Sequence, residues 1–126
     1  MPPFPTSWPL GCPPEDSNTP DIHVYRVVKR NPPDASDFKS QAELKRMLDG
    51  DSCLRHGLSV FSDSDEAQQA KKLFPKLGEF IACGYLGNSS DRILFTPTHK
   101  FPQSHHTWWT PAIIGRETIF SVSLID

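Results

Sequence analysis

"DIHVYRVV", residues 21–28, is the stretch on which the fold turns. It is rich in β-branched and aromatic residues and contains neither glycine nor proline, which is the composition of a strand. A period of two sets His23, Tyr25 and Val27 on one face and Ile22, Val24, Arg26 and Val28 on the other. Arginine is rarely buried without a partner. Arg26 therefore has two readings: it lies on a solvated sheet face or pairs with Asp or Glu, or it lines a cleft and holds an anionic ligand.

Downstream, "NPPDASDF" (31–38) is a loop by its Pro and Asp content. Ser40 and Glu43 form a capping box, and Leu44, Met47 and Leu48 follow at helical spacing, predicting a short helix over 41–48. "GLSVFS" (57–62) reads as a second strand. Asp63 and Glu66 then start a helix whose stripe is Ala67, Ala70, Phe74 and Leu77, and Pro75 ends it near residue 74. "GEFIACGYL" (78–86) is a strand, "GNSSD" (87–91) a turn, "RILFT" (92–96) its expected hairpin partner, and "ETIFSVSLID" (117–126) a closing strand. Strands and helices segregate along the chain, so the expected class is α+β, with small mixed or antiparallel sheets and two short helices, not a doubly wound parallel sheet.

A length of 126 residues fits one domain, expected over 21–126. Seven of the 13 prolines fall in residues 1–20. Each removes a backbone donor, which makes this segment an expected disordered tail whose Phe4, Trp8 and Leu10 are its docking residues if it docks at all. The net charge of −2 argues against a general grip on nucleic acid while leaving room for a local basic groove. Cys12, Cys53 and Cys83 are widely spaced without a C-x-x-C pair, so no disulfide framework is expected. Neither a membrane span nor a secretory signal is read, and the expected location is the cytoplasm.

Chemistry concentrates in a few places. "SHHTWW" (104–109) sets two imidazoles beside two indoles. Adjacent histidines on a strand point apart, and neither H-E-x-x-H nor C-x-x-C accompanies them, so no metal is expected. "HGLSV" is not G-x-S-x-G, and a serine inside a strand makes no nucleophile elbow, which argues against acyl transfer. Trp108 and Trp109 read as core side chains or, with Phe101, Lys100 and Arg116, as a stacking platform for bases. The remaining polar residues in strand-like stretches are His23 and Arg26 in the first, Ser59 in the second, and His106 with Thr107 before the tryptophans. They are the candidate lining of one cleft.

Three stretches, "VYRVVKRNPPDASDFKSQ", "LRHGLSVFSDSDEAQQAKKLFPKLGEFIA" and "SHHTWWTP", resemble in order and spacing a group of small bacterial proteins of uncharacterised function, over roughly residues 22–115. More distantly, the chain resembles the ADP-ribosyltransferases, including the RNA 2′-phosphotransferases. That resemblance implies an ADP-ribosyltransferase-like sheet around an NAD cleft. His23 or Arg26 would grip the cofactor, together with Ser59 and Thr107, and Arg26, Ser59 and His106 would act in catalysis at the nicotinamide–ribose bond. The chain departs from the pattern in having no Glu or Gln within the late motif, which Gln103 and Glu117 flank.

The expected function is an NAD- or nucleotide-handling enzyme taking a small-molecule nucleotide, with neither membrane nor nucleic acid as partner. The alternative is a non-catalytic interaction module, the small partner of a toxin or a regulator, using Trp108, Trp109 and the tail as its contact surface.

Overall fold

The computed structural model describes residues 4–5, 8–44, 52–111 and 115–122. Within them the chain forms strands β1 (Ile22–Val28), β2 (Leu58–Phe61), β3 (Phe80–Leu86), β4 (Arg92–Phe95), β5 (His105–Trp109) and β6 (Phe120–Val122). Two helices, α1 (Ser52–Arg55) and α2 (Ser64–Leu73), and three short 3-10 turns complete the described secondary structure. The six strands make one antiparallel sheet in the order β4-β5-β2-β1-β3-β6, so the chain is an α+β domain.

The alternation in residues 21–28 places β1 at the heart of this sheet. It pairs with β3 along its whole length, from Ile22 opposite Leu86 to Val28 opposite Phe80. Val24 and Val28 enter the main core with Phe38, Leu58, Val60, Leu86, Ile93, Trp108 and Phe120. On the opposite face α2 crosses β1, β2 and β3. There Ala67 and Ala70 pack with Phe61, Ile81 and Phe101, flanked by Tyr25 and Val27. Two small residues on the inner stripe of α2 let the helix lie close to the sheet.

Both tryptophans are core: Trp108 is 1% exposed and Trp109 0%. Side chains of this size each contribute roughly 4–6 kcal/mol of apolar burial, provided that the indole N–H is not stranded. Neither is. Trp108 Nε1 donates to Asp91 Oδ2 at 2.9 Å, and Trp109 Nε1 donates to the Cys53 carbonyl at 2.9 Å. Burial pushes the Asp91 carboxyl above its usual range, against the bonds that Trp108 and Thr110 make to it.

Asp63 caps α2 by accepting from the Asp65 amide at 3.0 Å, and the helix stops at Leu73 ahead of Pro75, as its sequence signals require. The outer half of the expected stripe differs. Phe74 is 40% exposed and Leu77 48%. The Ser40–Glu43 capping box also forms, with Ser40 N donating to Glu43 Oε1 at 2.8 Å and Glu43 N to Ser40 Oγ at 3.1 Å. The chain turns through 41–44, and the remainder of the helix expected over 41–48 lies outside the described residues. The closing strand is realised as β6, while 123–126 likewise lie outside them.

Three expectations need correction. β4 is not the hairpin partner of β3, both of whose edges are taken, by β1 and β6. It crosses to the far end of the sheet, where Ile93 lies opposite Trp108 and completes the main core. The N-terminal segment is docked rather than loose through residues 8–20. Asn18 exchanges backbone hydrogen bonds of 2.8 and 2.7 Å with Ile93, the Arg92 guanidinium donates to the Ser17 hydroxyl and carbonyl, and the Trp8 ring lies 5.1 Å from that of His56. Finally, Cys12 and Cys53 are joined in a disulfide, with their Cα atoms 5.5 Å apart. Wide spacing in sequence does not measure distance in space: docking the segment brings residue 12 onto α1.

Among the described residues no helix is long and apolar enough to cross a membrane. The Cys12–Cys53 bond closes a sequence separation of 41 residues, for which chain entropy gives a stabilisation of about 4 kcal/mol. Cys12→Ser is therefore expected to lower unfolding stability in urea by about 2–4 kcal/mol, with a reductant producing the same loss in the unmodified chain and no further loss in the variant.

Candidate functional site

The sheet has one weak seam. β1 and β2 pair only at Tyr25 opposite Phe61, although continuing that register would set Val27 against Ser59. The Ser59 carbonyl accepts instead from the Arg26 side chain, Nη1 donating at 2.7 Å. Arg26 Nε donates at 3.0 Å to the Asp37 carbonyl, and the guanidinium carbon stands 5.7 Å from the centre of the Phe38 ring. A side chain thus takes over a bond that backbone would otherwise make. Desolvation pulls the Arg26 pKa down to about 10, opposed by nearby Asp37 and assisted by Arg116, so the group stays cationic at neutral pH.

A cavity of about 950 Å³ opens at this seam. Its walls are β1, β2, the 29–44 loop, the end of α2 and the 98–101 loop. Val27, Phe61, Phe74, Leu77 and Phe101 give it an apolar floor. Six cationic side chains line it, Arg26, Lys29, Arg30, Lys39, Lys76 and Lys100, against one carboxylate, Asp37. On a chain whose net charge is −2 this is a strong segregation of charge.

Asp37 does not neutralise that surplus. Its carboxylate accepts from the Lys29 amide at 2.8 Å, the Asp34 amide at 3.1 Å and Arg30 Nη1 at 3.4 Å. Arg30 also pairs with Asp34 at 3.3 Å. Lys29, Lys39, Lys76 and Lys100 make no ion pair among the described residues.

At the seam, Ser59 meets a histidine. Ser59 Oγ lies 3.2 Å from His105 Nε2. His105 Nδ1 lies 2.7 Å from the Thr96 carbonyl oxygen and 3.1 Å from the Thr96 hydroxyl, which is itself 2.8 Å from that of Thr107. A carbonyl oxygen only accepts, so Nδ1 carries the proton and Nε2 is the acceptor for the serine hydroxyl. The imidazole edge stands against Phe61, with ring centres 5.5 Å apart. Burial is the largest influence on His105 and lowers its pKa, with His106 acting in the same direction and the Thr96 carbonyl and Glu66 opposing.

Of the expected site residues, Arg26 and Ser59 come together at this cavity and His23, His106 and Thr107 do not line it. His23 is exposed beyond the seam, its ring 5.1 Å from that of Tyr85. His106 sits one residue out of phase with Ser59. It faces Phe95 on the opposite side of the sheet, ring centres 5.3 Å apart, with Nδ1 2.8 Å from the Ser104 carbonyl. Thr107 lies directly opposite Ser59 but is buried behind it.

The expected base-stacking platform does not assemble: both tryptophans are enclosed, and Arg116 is buried and bound to the Phe38 carbonyl at 2.7 Å and to both Glu43 oxygens at 2.7 and 3.1 Å. Lys100 and Phe101 alone of that group reach the cavity. The sequence did carry the signal for His105, since the two histidines must face opposite ways. Only the β2–β5 register tells which one shares a face with Ser59.

Among the described residues no group of three or more His, Cys, Asp or Glu stands close enough to hold a metal ion. Comparison with protein-family models, with curated proteins and with solved structures finds no match to this chain. The resemblance to ADP-ribosyltransferases gains no support from them.

The tautomer and the depressed pKa can be read directly in solution. A proton–carbon NMR titration is expected to place the His105 midpoint below 6.5, with Nδ1 the protonated nitrogen of the neutral ring. A midpoint above 6.5, or an Nε2-protonated neutral ring, would contradict the hydrogen-bond pattern.

Proposed function

We propose that the seam cavity binds a phosphorylated small molecule of nucleotide size. The observation that carries this reading is the set of six cationic side chains, four of them lysines without an ion pair among the described residues, lining a cavity of about 950 Å³ with an aromatic and aliphatic floor. Phosphates suit the rim, which lysines from separate segments line. A flat base or other apolar group suits the floor beside Phe74 and Phe101, and Lys100 already stands 5.8 Å from the centre of the Phe74 ring.

NAD and ADP are the probes this reading selects. Cleavage of the nicotinamide–ribose bond is a weaker reading, because it calls for a carboxylate free to face a developing positive charge. Asp37, the cavity's one carboxylate, is already committed to three donors. Glu66 is likewise turned to the Ser104 amide and hydroxyl, each at 2.7 Å. The interaction module loses Trp108 and Trp109 as anchors, since neither indole reaches solvent, and keeps only the N-terminal segment, where Leu10 is exposed, as a contact surface. As to compartment, the Cys12–Cys53 disulfide favours an oxidising environment over the reducing cytoplasm.

Titration calorimetry with ADP, NAD and pyrophosphate tests this proposal. Binding is expected, weakening as salt rises, and Lys29→Glu combined with Lys100→Glu is expected to raise the dissociation constant about tenfold or more, a change of about 1.4 kcal/mol. No heat with any of the three at millimolar concentration, or an affinity that the charge reversals leave unchanged, would refute it.

A further inference from the structure

The cavity holds a group that ligand binding alone does not use. Ser59 is exposed, its hydroxyl is 3.2 Å from His105 Nε2, and the ring is oriented from behind by the Thr96 carbonyl at 2.7 Å. The polarity runs in the direction a nucleophile needs. The carbonyl fixes the proton on Nδ1, so the bare Nε2 faces the hydroxyl and can take its proton. The Phe61 contact holds the imidazole plane. Beside this pair stands Arg26, whose Nε and Nη1 are occupied by the Asp37 and Ser59 carbonyls. Its Nη2 makes no hydrogen bond to the described residues, which leaves a cationic donor for negative charge developing next to Ser59.

The sequence argued against a nucleophile here because a strand offers no sharp elbow. The structure supplies the exposure another way. β1 pairs with β2 at one position only, and Ser59 stands at the resulting opening with its hydroxyl on the cavity wall.

We propose that Ser59 is a nucleophile, with His105 as its base, that hydrolyses carboxylic esters whose leaving group carries phosphate. The substrate class rests on the phosphate-binding reading above; the nucleophile does not. In the first half-reaction Ser59 Oγ forms a bond to the ester carbonyl carbon while Nε2 takes the hydroxyl proton, and Arg26 faces the oxyanion. Collapse breaks the bond to the leaving alcohol, which receives that proton from Nε2. In the second, Nε2 takes a proton from water as the water oxygen attacks the acyl-serine carbon. The carboxylic acid departs and the proton returns to Ser59 Oγ. Ester and water are consumed; acid and phosphorylated alcohol are formed.

Labelling with a fluorophosphonate, followed by peptide mass spectrometry, tests this on the intact disulfide-bonded chain. The serine oxygen bonds to phosphorus, the P–F bond breaks, and fluoride leaves with the proton passed through Nε2. The expected adduct is on Ser59, absent in Ser59→Ala and formed about 100-fold or more slowly in His105→Gln. A second readout needs no variant. The labelling rate of the unmodified protein should rise with pH through the His105 titration and level off once the ring is neutral, at lower pH than for a free imidazole. Burial lowers this midpoint, with His106 on the same strand acting in the same direction and the Thr96 carbonyl and Glu66 of α2 opposing; Arg26 of β1 and His99 and Lys100 of the neighbouring loop are the other basic groups that line the cavity beside the ring.

No adduct on Ser59, an equal rate in folded His105→Gln, or a flat pH profile overturns the proposal. Saturating ADP should slow labelling severalfold by covering the cavity. Labelling that depends on His105 but is indifferent to ADP would leave the nucleophile standing and overturn the phosphate-bearing substrate class.

Discussion

The structure depends on the Arg26 guanidinium bridging the gap between β1 and β2. An antiparallel sheet normally closes with backbone amides, and here a side chain supplies the donor that the Ser59 carbonyl requires. Arg26 is half-buried, and taking a guanidinium partly out of water is costly, which is why its pKa falls to about 10. Two carbonyl acceptors, the nearby Asp37 charge and the face of Phe38 offset that cost. The result is a sheet that is continuous in order yet open at one place, with a fixed positive charge in the opening. Had β1 and β2 zipped fully, Val27 would lie opposite Ser59 in an unbroken ladder at the place where the cavity now opens.

The rest of the molecule keeps that opening in place. The main core on one face, built around Trp108, Phe38 and Phe120, ties β1, β2, β3, β5 and β6 together beneath the seam. Arg116 and Glu43 form a bidentate pair that also holds the Phe38 carbonyl, anchoring the loop from which Lys39 and Asp37 project. On the far side, the Cys12–Cys53 bond and the Asn18–Ile93 bridge clamp the N-terminal segment across α1 and the outer edge of β4. The charged rim can therefore come from loops without the loops themselves having to be stable alone.

How much of this was legible depended on the range of the interactions involved. The strand at 21–28 announced its two faces through simple alternation, and the caps at Asp63 and Ser40 announced their turns, because these signals are local. Partner choice among strands is not local. Nothing in "GNSSD" says that the chain will leave β3 and travel to β5, since the gain that decides it, Ile93 against Trp108, comes from residues 15 positions apart in sequence. The same limit applies to the histidines: parity separates His105 from His106, but the register against β2 is needed to tell which of them shares a face with Ser59. The sequence left room for a basic groove but could not locate it, for a related reason. Lys29, Lys39, Lys76 and Lys100 are scattered singly or in pairs along a chain of slightly negative charge, and only the fold collects them.

Chemical-shift mapping tests the central claim most directly, using nitrogen-15-labelled protein titrated with pyrophosphate while the Arg26 Nε–H signal is followed. That proton is held by the Asp37 carbonyl and is sheltered enough to be seen. If the bridged seam is the anion site, the Arg26 Nε signal and the amides of Lys29, Ser59, Lys100 and His105 will move together along one saturating curve. Shifts that leave Arg26 and Ser59 still, or that gather around His106 and Phe95 on the opposite face, would contradict it.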